Sequence, residues 1–120
     1  MANERTSFEI RDGVNITDEV MMIIAGLAAC EPDGIVSLNG NLNTDNIIKA
    51  GMSKLSKGVR IVPNEDETLS VRLAVNISYG FELPVVCKSV QEKVKSTIEN
   101  MTGLSVKDVD IRISSVSVAE

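Results

Sequence analysis

The fold is decided by Leu69–Val116, which reads LSVRLAVNISYGFELPVVCKSVQEKVKSTIENMTGLSVKDVDIRISSV. Apolar residues occupy its odd-numbered positions up to Tyr79, with mostly polar residues between them, which predicts a strand with one buried and one exposed face. Pro84 opens a helix predicted over residues 85–102, and Gly103 ends it. The alternation resumes over residues 106–113. The stretch therefore predicts one strand–helix–strand unit.

Two details sharpen this prediction. The helix carries one apolar stripe at spacings of four, four, four and three residues, which predicts a single buried face formed by Val86, Val90, Val94, Ile98 and Met101. The last strand changes phase, because its apolar residues are odd-numbered up to Ile113 and even-numbered from Val116. Either a bulge at Ser114-Ser115 absorbs that change, or the strand bends there onto a new neighbour.

The rest of the chain supplies neighbours for this unit. Thr17 is a good N-cap for a helix over residues 18–31, and short strands are predicted over residues 7–13, 35–38 and 59–63. The 59–63 and 68–79 strands form a hairpin, whereas the helical crossover makes the 68–79 and 106–113 strands parallel. The predicted fold class is α+β, a two-layer sandwich in which two main helices cover one face of a mixed sheet of about four strands.

Composition and charge limit the classes of function that the chain can have. The 120 residues fit one domain, predicted over residues 7–118 with a disordered tail at residues 1–6. The net charge of −5 disfavours a general nucleic-acid binder, which needs a basic face. Met1–Arg11 lacks the apolar run of a signal peptide, and the longest apolar run, Val20–Cys30, falls short of the about 20 residues that span a bilayer. We expect a cytoplasmic protein without direct membrane insertion.

The residues that usually carry chemistry are scarce. The chain has no histidine and two isolated cysteines, so we expect no metal site, no cofactor and no catalytic residue. Cys87 falls in the first turn of its helix, where a thiolate is favoured, and is the more reactive candidate of the two. A structural thiol is nevertheless the favoured interpretation. The sequence predicts that the protein is not an enzyme.

Candidate contact surfaces remain. Met21 and Met22 widen the apolar stripe of the first helix, so this helix is either deeply buried or has a second contact surface, and we place a partner contact on its exposed side near these two residues. Asp108, Asp110 and Arg112 share one face of the last strand, which is either solvated or covered by a second subunit or partner.

A basic segment offers a different kind of contact. Four cations follow one another without an intervening acidic residue: Lys49, Lys54, Lys57 and Arg60. They suit an acidic partner, a membrane surface or RNA, although a solvated loop face is the favoured interpretation. No aromatic residue lies among them to stack bases, which weakens the RNA interpretation. Residues 39–57, which contain three of these cations, are rich in Asn and Gly, and we expect a flexible segment there. The alternative within this segment is a short helix over residues 44–55, which Gly51 weakens and which would turn inward Ile47, Ile48, Met52 and Leu55.

The order of several short motifs resembles the alkaline shock protein family, small general-stress or envelope-stress proteins mostly of Gram-positive bacteria. The resemblance covers about residues 8–118. It is carried, in order, by Ile16–Val20, Ile23–Ala29, Gly34–Leu38, Lys57–Ile61, Tyr79-Gly80, Leu83–Val86, Val90–Val94 and Met101–Ile111. The chain departs from the family after Gly40, where such proteins are often glycine-rich or basic and this one carries Asn41, Asn43 and Asn46.

The resemblance implies a cytoplasmic protein linked to cell-envelope homeostasis and carries no catalytic motif. Some members are held at the membrane by a partner protein, and some self-assemble. We therefore expect a non-enzymatic stress-associated scaffold that forms homo-oligomers and binds a membrane-anchored protein. The alternative is a regulatory module that binds RNA or another acidic ligand through residues 49–60.

Overall fold

A computed structural model of the chain describes residues 7–118, so the tail predicted at residues 1–6 lies outside the described residues. A four-stranded sheet and a separate two-stranded hairpin are combined with three α-helices. In chain order the elements are β1 (Ser7–Arg11), β2 (Val14–Thr17), α1 (Asp18–Ala29), β3 (Ile35–Leu38), a 3₁₀ turn (Ile47–Lys49), α2 (Met52–Leu55), β4 (Val59–Pro63), β5 (Leu69–Ser78), α3 (Leu83–Thr102) and β6 (Val106–Ser117).

Strand β5 is the centre of the four-stranded sheet. On one side it pairs antiparallel with β4 through its first half and with β3 through its second half, and on the other side it pairs parallel with β6. The predicted hairpin, parallel crossover and α+β class are therefore confirmed. The β1–β2 hairpin was not predicted beyond its first strand, because Val14–Thr17 is short and leads directly into the helix that Thr17 caps.

The core lies between the sheet and the two long helices. The five odd-numbered residues of β5 from Leu69 to Ile77 are buried, as predicted, but Tyr79 follows the strand in a turn and is 72% exposed. Four members of the α3 stripe are buried as predicted, whereas Met101 is exposed and Thr102 takes the inward position. Thr102 tolerates burial because its hydroxyl donates to the Ile98 carbonyl at 2.7 Å.

The change of phase in the apolar pattern of β6 is caused by a bulge, which is one of the two predicted explanations. Val75 pairs with Ile113 and Asn76 pairs with Ser115, so Ser114 is the extra residue of a bulge. A second register shift, between the pairs Leu69–Val106 and Ser70–Asp108, lies where the buried positions of β6 change from even-numbered Val106 to odd-numbered Val109.

The helix considered over residues 44–55 is instead two short pieces. Gly51 separates them with a φ of +80°, a left-handed conformation that interrupts a helix. Because the register breaks there, Ile47 and Leu55 point inward as predicted, but Ile48 and Met52 are exposed and their predicted burial is wrong. The flexibility of residues 39–57 stays a prediction, although Leu42, Ile47 and Leu55 anchor this segment in the core.

Candidate partner-binding surface

The first helix does not present the predicted methionine surface. Met21 is fully buried and Met22 is 3% exposed, so the proposed partner contact at these residues is wrong and both belong to the core. The reason is that α1 packs on α3, β4 and the short helical segments, which cover its wide apolar stripe from several directions. Deep burial of the first helix was the other option that the sequence allowed, and it is the one found in the structure.

The basic segment is divided by the fold. Lys49 ends the 3₁₀ turn and Lys54 lies in α2, whereas Lys57 precedes β4 and Arg60 lies within it. Lys57 and Arg60 line a shallow concavity of about 450 Å³ on the sheet, and Lys49 and Lys54 do not. The predicted four-residue patch is therefore only half assembled by the structure.

The sheet brings two further arginines to this concavity. Arg60 of β4 pairs directly with Arg72 of β5, and Arg72 pairs on its other side with Asp110 of β6. Register partners point to the same face, and that face is the one opposite the helices. Arg112 lies two residues beyond Asp110 and also lines the concavity. We call this uncovered surface the open face, and Lys57, Arg60, Arg72 and Arg112 the arginine cluster.

The arginine cluster is electrostatically unbalanced. Its four cations face one carboxylate, Asp110, which leaves a local charge of about +3 in a chain whose net charge is −5. Like charges directly opposite on adjacent strands repel. Within residues 7–118 the ion pairs are Lys93–Glu31 at 3.0 Å and Lys95–Glu99 at 3.5 Å, and neither involves this cluster. The surface is therefore suited to an anionic group from outside the chain.

Arg72 is not among the site residues that the sequence predicts, and Arg112 is grouped there with Asp108 and Asp110. In the sequence, Arg72 is one of several polar residues that alternate with the core positions of β5. A signal was present, because the predicted hairpin makes residues 59–63 neighbours of residues 68–79. Only the register, which the turn geometry sets, shows that Arg60 and Arg72 are opposite each other.

A second concavity is lined by both apolar and charged side chains. Phe81, Val85 and Pro32 line a concavity of about 770 Å³ between α3 and the loop after α1. Phe81 is 45% exposed and Val85 is 59% exposed. Phe81 is one of two phenylalanines in the chain, which has one further aromatic residue, a tyrosine. Exposed aromatic residues beside a groove are typical of protein contacts.

Burial disfavours the thiolate form of both cysteines. It raises the pKa of Cys30 to about 11 and also raises the pKa of Cys87. The position of Cys87 in the first turn of its helix therefore does not lower the pKa of its thiol below the ordinary value. Among residues 7–118 there is no group of three or more Cys, Asp or Glu residues placed to hold a metal ion. In the same range, no helix combines the length and apolar character needed to cross a membrane.

Comparison with known proteins shows which family the chain resembles. Residues 7–118 match the alkaline shock protein 23 family, which is described as having a cell envelope-related function. The uncharacterized protein YqhY of Bacillus subtilis is 36% identical over 100 residues, which cover 83% of this chain and 73% of that protein. The uncharacterized protein YloU of the same species is 33% identical over 111 residues, covering 88% of each chain.

A stress protein is also among the relatives. A stress response regulator gls24 homolog of Streptococcus pyogenes is 25% identical over 115 residues, which cover 92% of this chain and 62% of that protein. No solved structure shows a significant match to the chain.

Proposed function

Because the chain belongs to the alkaline shock protein 23 family, with its cell envelope-related function, we propose that it is a non-enzymatic scaffold of the stress response that associates with itself and binds a membrane-anchored partner. It would do so from the cytoplasm, at the inner face of the cell membrane. The observation that carries the proposal is the arginine cluster on the open face, an uncovered and electrostatically unbalanced surface.

The chemistry of the chain supports a binding role. Both cysteine thiols have a pKa raised by burial, and the sequence has no histidine to act as a base beside a nucleophile. The named relatives include stress response regulators and no enzyme names. In contrast, the open face offers guanidinium groups, which bind carboxylates through two parallel hydrogen bonds. A partner that presents acidic residues to this face would relieve the repulsion between Arg60 and Arg72.

Fractionation of native cells tests the proposal. Wild type, Arg72→Glu and Lys88→Glu would be compared for recovery in the membrane fraction. Both substitutions change the net charge by the same amount, but Lys88 is exposed on α3, in the layer opposite the open face. We expect wild type and Lys88→Glu in the membrane fraction and Arg72→Glu in the soluble fraction. Recovery of wild type only in the soluble fraction, or equal membrane recovery of all three proteins, would contradict the proposal.

The second candidate function is a regulatory module that binds RNA or another acidic ligand through the 49–60 segment. It is favoured by one observation, that Lys57 and Arg60 join Arg72 and Arg112 in one concavity. It predicts that a labelled RNA oligonucleotide binds with strong salt dependence, and that Lys57→Glu lowers the salt slope by about one. Absence of RNA binding at low salt would eliminate RNA as the ligand.

A further inference from the structure

The outer edge of β6 is a second uncovered surface. One side of this 12-residue strand pairs with β5, and among the residues that the structure describes no strand pairs with the other side. Helix α3 covers the beginning of this edge with side chains. The Val106 N–H donates to Glu99 Oε2 at 2.9 Å, Lys95 Nζ donates to the Val106 carbonyl at 2.8 Å, and Gln91 Nε2 donates to the Val109 carbonyl at 2.9 Å.

Within residues 7–118, no α3 side chain bonds to the backbone of this edge beyond Val109. An uncovered strand edge is a template for pairing with another strand. The Val109 carbonyl faces the outer edge, because it accepts from the α3 side chain rather than from β5. Backbone groups alternate in direction along a strand, and no register shift intervenes between Val109 and Ile113, so the N–H and C=O of Ile111 face the same edge.

The side chains along this edge are self-complementary. Asp110 and Arg112 are exposed on the open face, while Ile111 and Ile113 are half-buried on the helix side. If a second copy lies antiparallel with Ile111 opposite Ile111, each Asp110 faces an Arg112 and each Arg112 faces an Asp110. The same register places Val109 opposite Ile113 on the apolar face. We infer that β6 pairs with β6 of a second copy in this register and forms a continuous eight-stranded sheet.

Neighbouring registers are less favourable. Shifting the symmetry centre by one residue to Asp110 places the two Asp110 side chains opposite each other, and shifting it to Arg112 does the same for the two arginines. Registers that place an open-face residue opposite a helix-side residue mismatch the two surfaces of the sheet. The register centred on Ile111 forms two opposite-charge pairs and no like-charge pair. The Val109 carbonyl can still accept from Gln91, since a carbonyl oxygen has two lone pairs.

This inference rests on the self-association in the proposed function and specifies its surface. The test compares the dimerisation constants of wild type, Asp110→Arg, Arg112→Asp and the double variant by analytical ultracentrifugation. Each single substitution turns both symmetric ion pairs into like-charge pairs, whereas the double variant restores them with the charges exchanged. We expect each single variant to dimerise at least about tenfold more weakly, and the double variant to return to the wild-type constant.

Asp45→Arg is the matched control, because Asp45 is exposed in the loop before the 3₁₀ turn and far along the chain from β6. Circular dichroism of every variant checks that the monomer is folded. A second measurement is independent of charge. Opposed Cα atoms in a hydrogen-bonded pair are about 5.5 Å apart, within the range of a disulfide, so Ile111→Cys should form a disulfide-linked dimer under oxidation and Ser115→Cys should not.

The outcomes separate the interface from the function. A dimer whose constant is unchanged in both single variants uses another surface, which overturns the inference and leaves self-association standing. A wild-type chain that stays monomeric at millimolar concentration overturns both the inference and the self-association. Binding of the membrane partner is tested separately by the fractionation of Arg72→Glu.

Discussion

Replacing Gly58 by alanine perturbs the point at which β3 and β4 meet end to end beside β5. Ala74 of β5 bonds to both sides of this junction, because its N–H donates to the Gly58 carbonyl at 3.0 Å and its carbonyl accepts from the Asn39 N–H at 2.8 Å. A Cβ added at Gly58 would lie 2.7 Å from the Asn39 carbonyl oxygen and 3.0 Å from the Leu38 Cβ. Glycine is needed here for space, since Gly58 is not among the glycines with a positive φ.

The cost can be worked from these contacts. Cβ atoms essentially never approach another heavy atom within 3.0 Å, so either Asn39 or Gly58 must move away from Ala74. Overpacking of this kind costs about 1–3 kcal/mol, and weakening one of the Ala74 hydrogen bonds adds about 1 kcal/mol. We expect Gly58→Ala to lower the free energy of unfolding by about 3 kcal/mol, which corresponds to a fall in Tm of roughly 12 °C for a domain of this size.

Urea and thermal denaturation of Gly58→Ala measure this cost, with Gly103→Ala as the control. Gly103 is left-handed with a φ of +77° and has no heavy atom within 4 Å of an added Cβ, so its substitution carries the conformational penalty of about 1–2 kcal/mol without a clash. A Gly58→Ala protein within about 0.5 kcal/mol of wild type would refute the junction argument.

Three further predictions follow from the core and the titratable groups. Met22→Glu places a charge in the core, so it should destabilise the fold by about 3 kcal/mol or more in urea denaturation, and an unchanged midpoint would contradict the burial of α1. The Val106 N–H donates to the Glu99 carboxylate and holds the pKa of Glu99 below its ordinary value of 4.5. The stability that this hydrogen bond adds is therefore fully present above pH 4.5 and is lost as the pH falls through the lowered pKa. Glu99→Gln should therefore flatten the acid limb of Tm against pH, and an unaltered limb would contradict this. Iodoacetamide at about pH 8 should alkylate both thiols slowly, and Cys87 faster than Cys30, because burial raises the pKa of Cys30 further. Mass spectrometry follows the two reactions, and the reverse order of rates would contradict this prediction.

The sequence was most informative where one periodicity extended over many residues. The alternation in β5 and the stripe in α3 located the core correctly, because each buried face repeats four or more times. The bulge at Ser114 was also readable, since a change of phase has few physical causes. Predictions failed at the ends of these patterns, as at Tyr79 and Met101, where the element stops or rotates away before the apolar series does.

The candidate site was harder to predict, because it depends on contacts between distant parts of the chain. Lys57 and Arg60 lie within six residues of Lys54 in the sequence, yet they share a surface with Arg72 and Arg112. Which residues face one another is decided by strand register, and register depends on turn geometry as well as composition. Similarly, the methionines of α1 are apolar in either location, so only the packing of neighbouring elements shows that they are buried.

Site-specific photo-crosslinking in native cells tests the central claim, that the protein acts through a partner on its open face. Ser56 is exposed and lines the concavity of the arginine cluster, and Met101 is 64% exposed on α3. A photo-reactive amino acid would replace each residue in turn, and mass spectrometry would identify the crosslinked proteins. The account predicts that one integral membrane protein is crosslinked from position 56 and not from position 101. Crosslinking to RNA alone from position 56, or to no membrane protein, would contradict it.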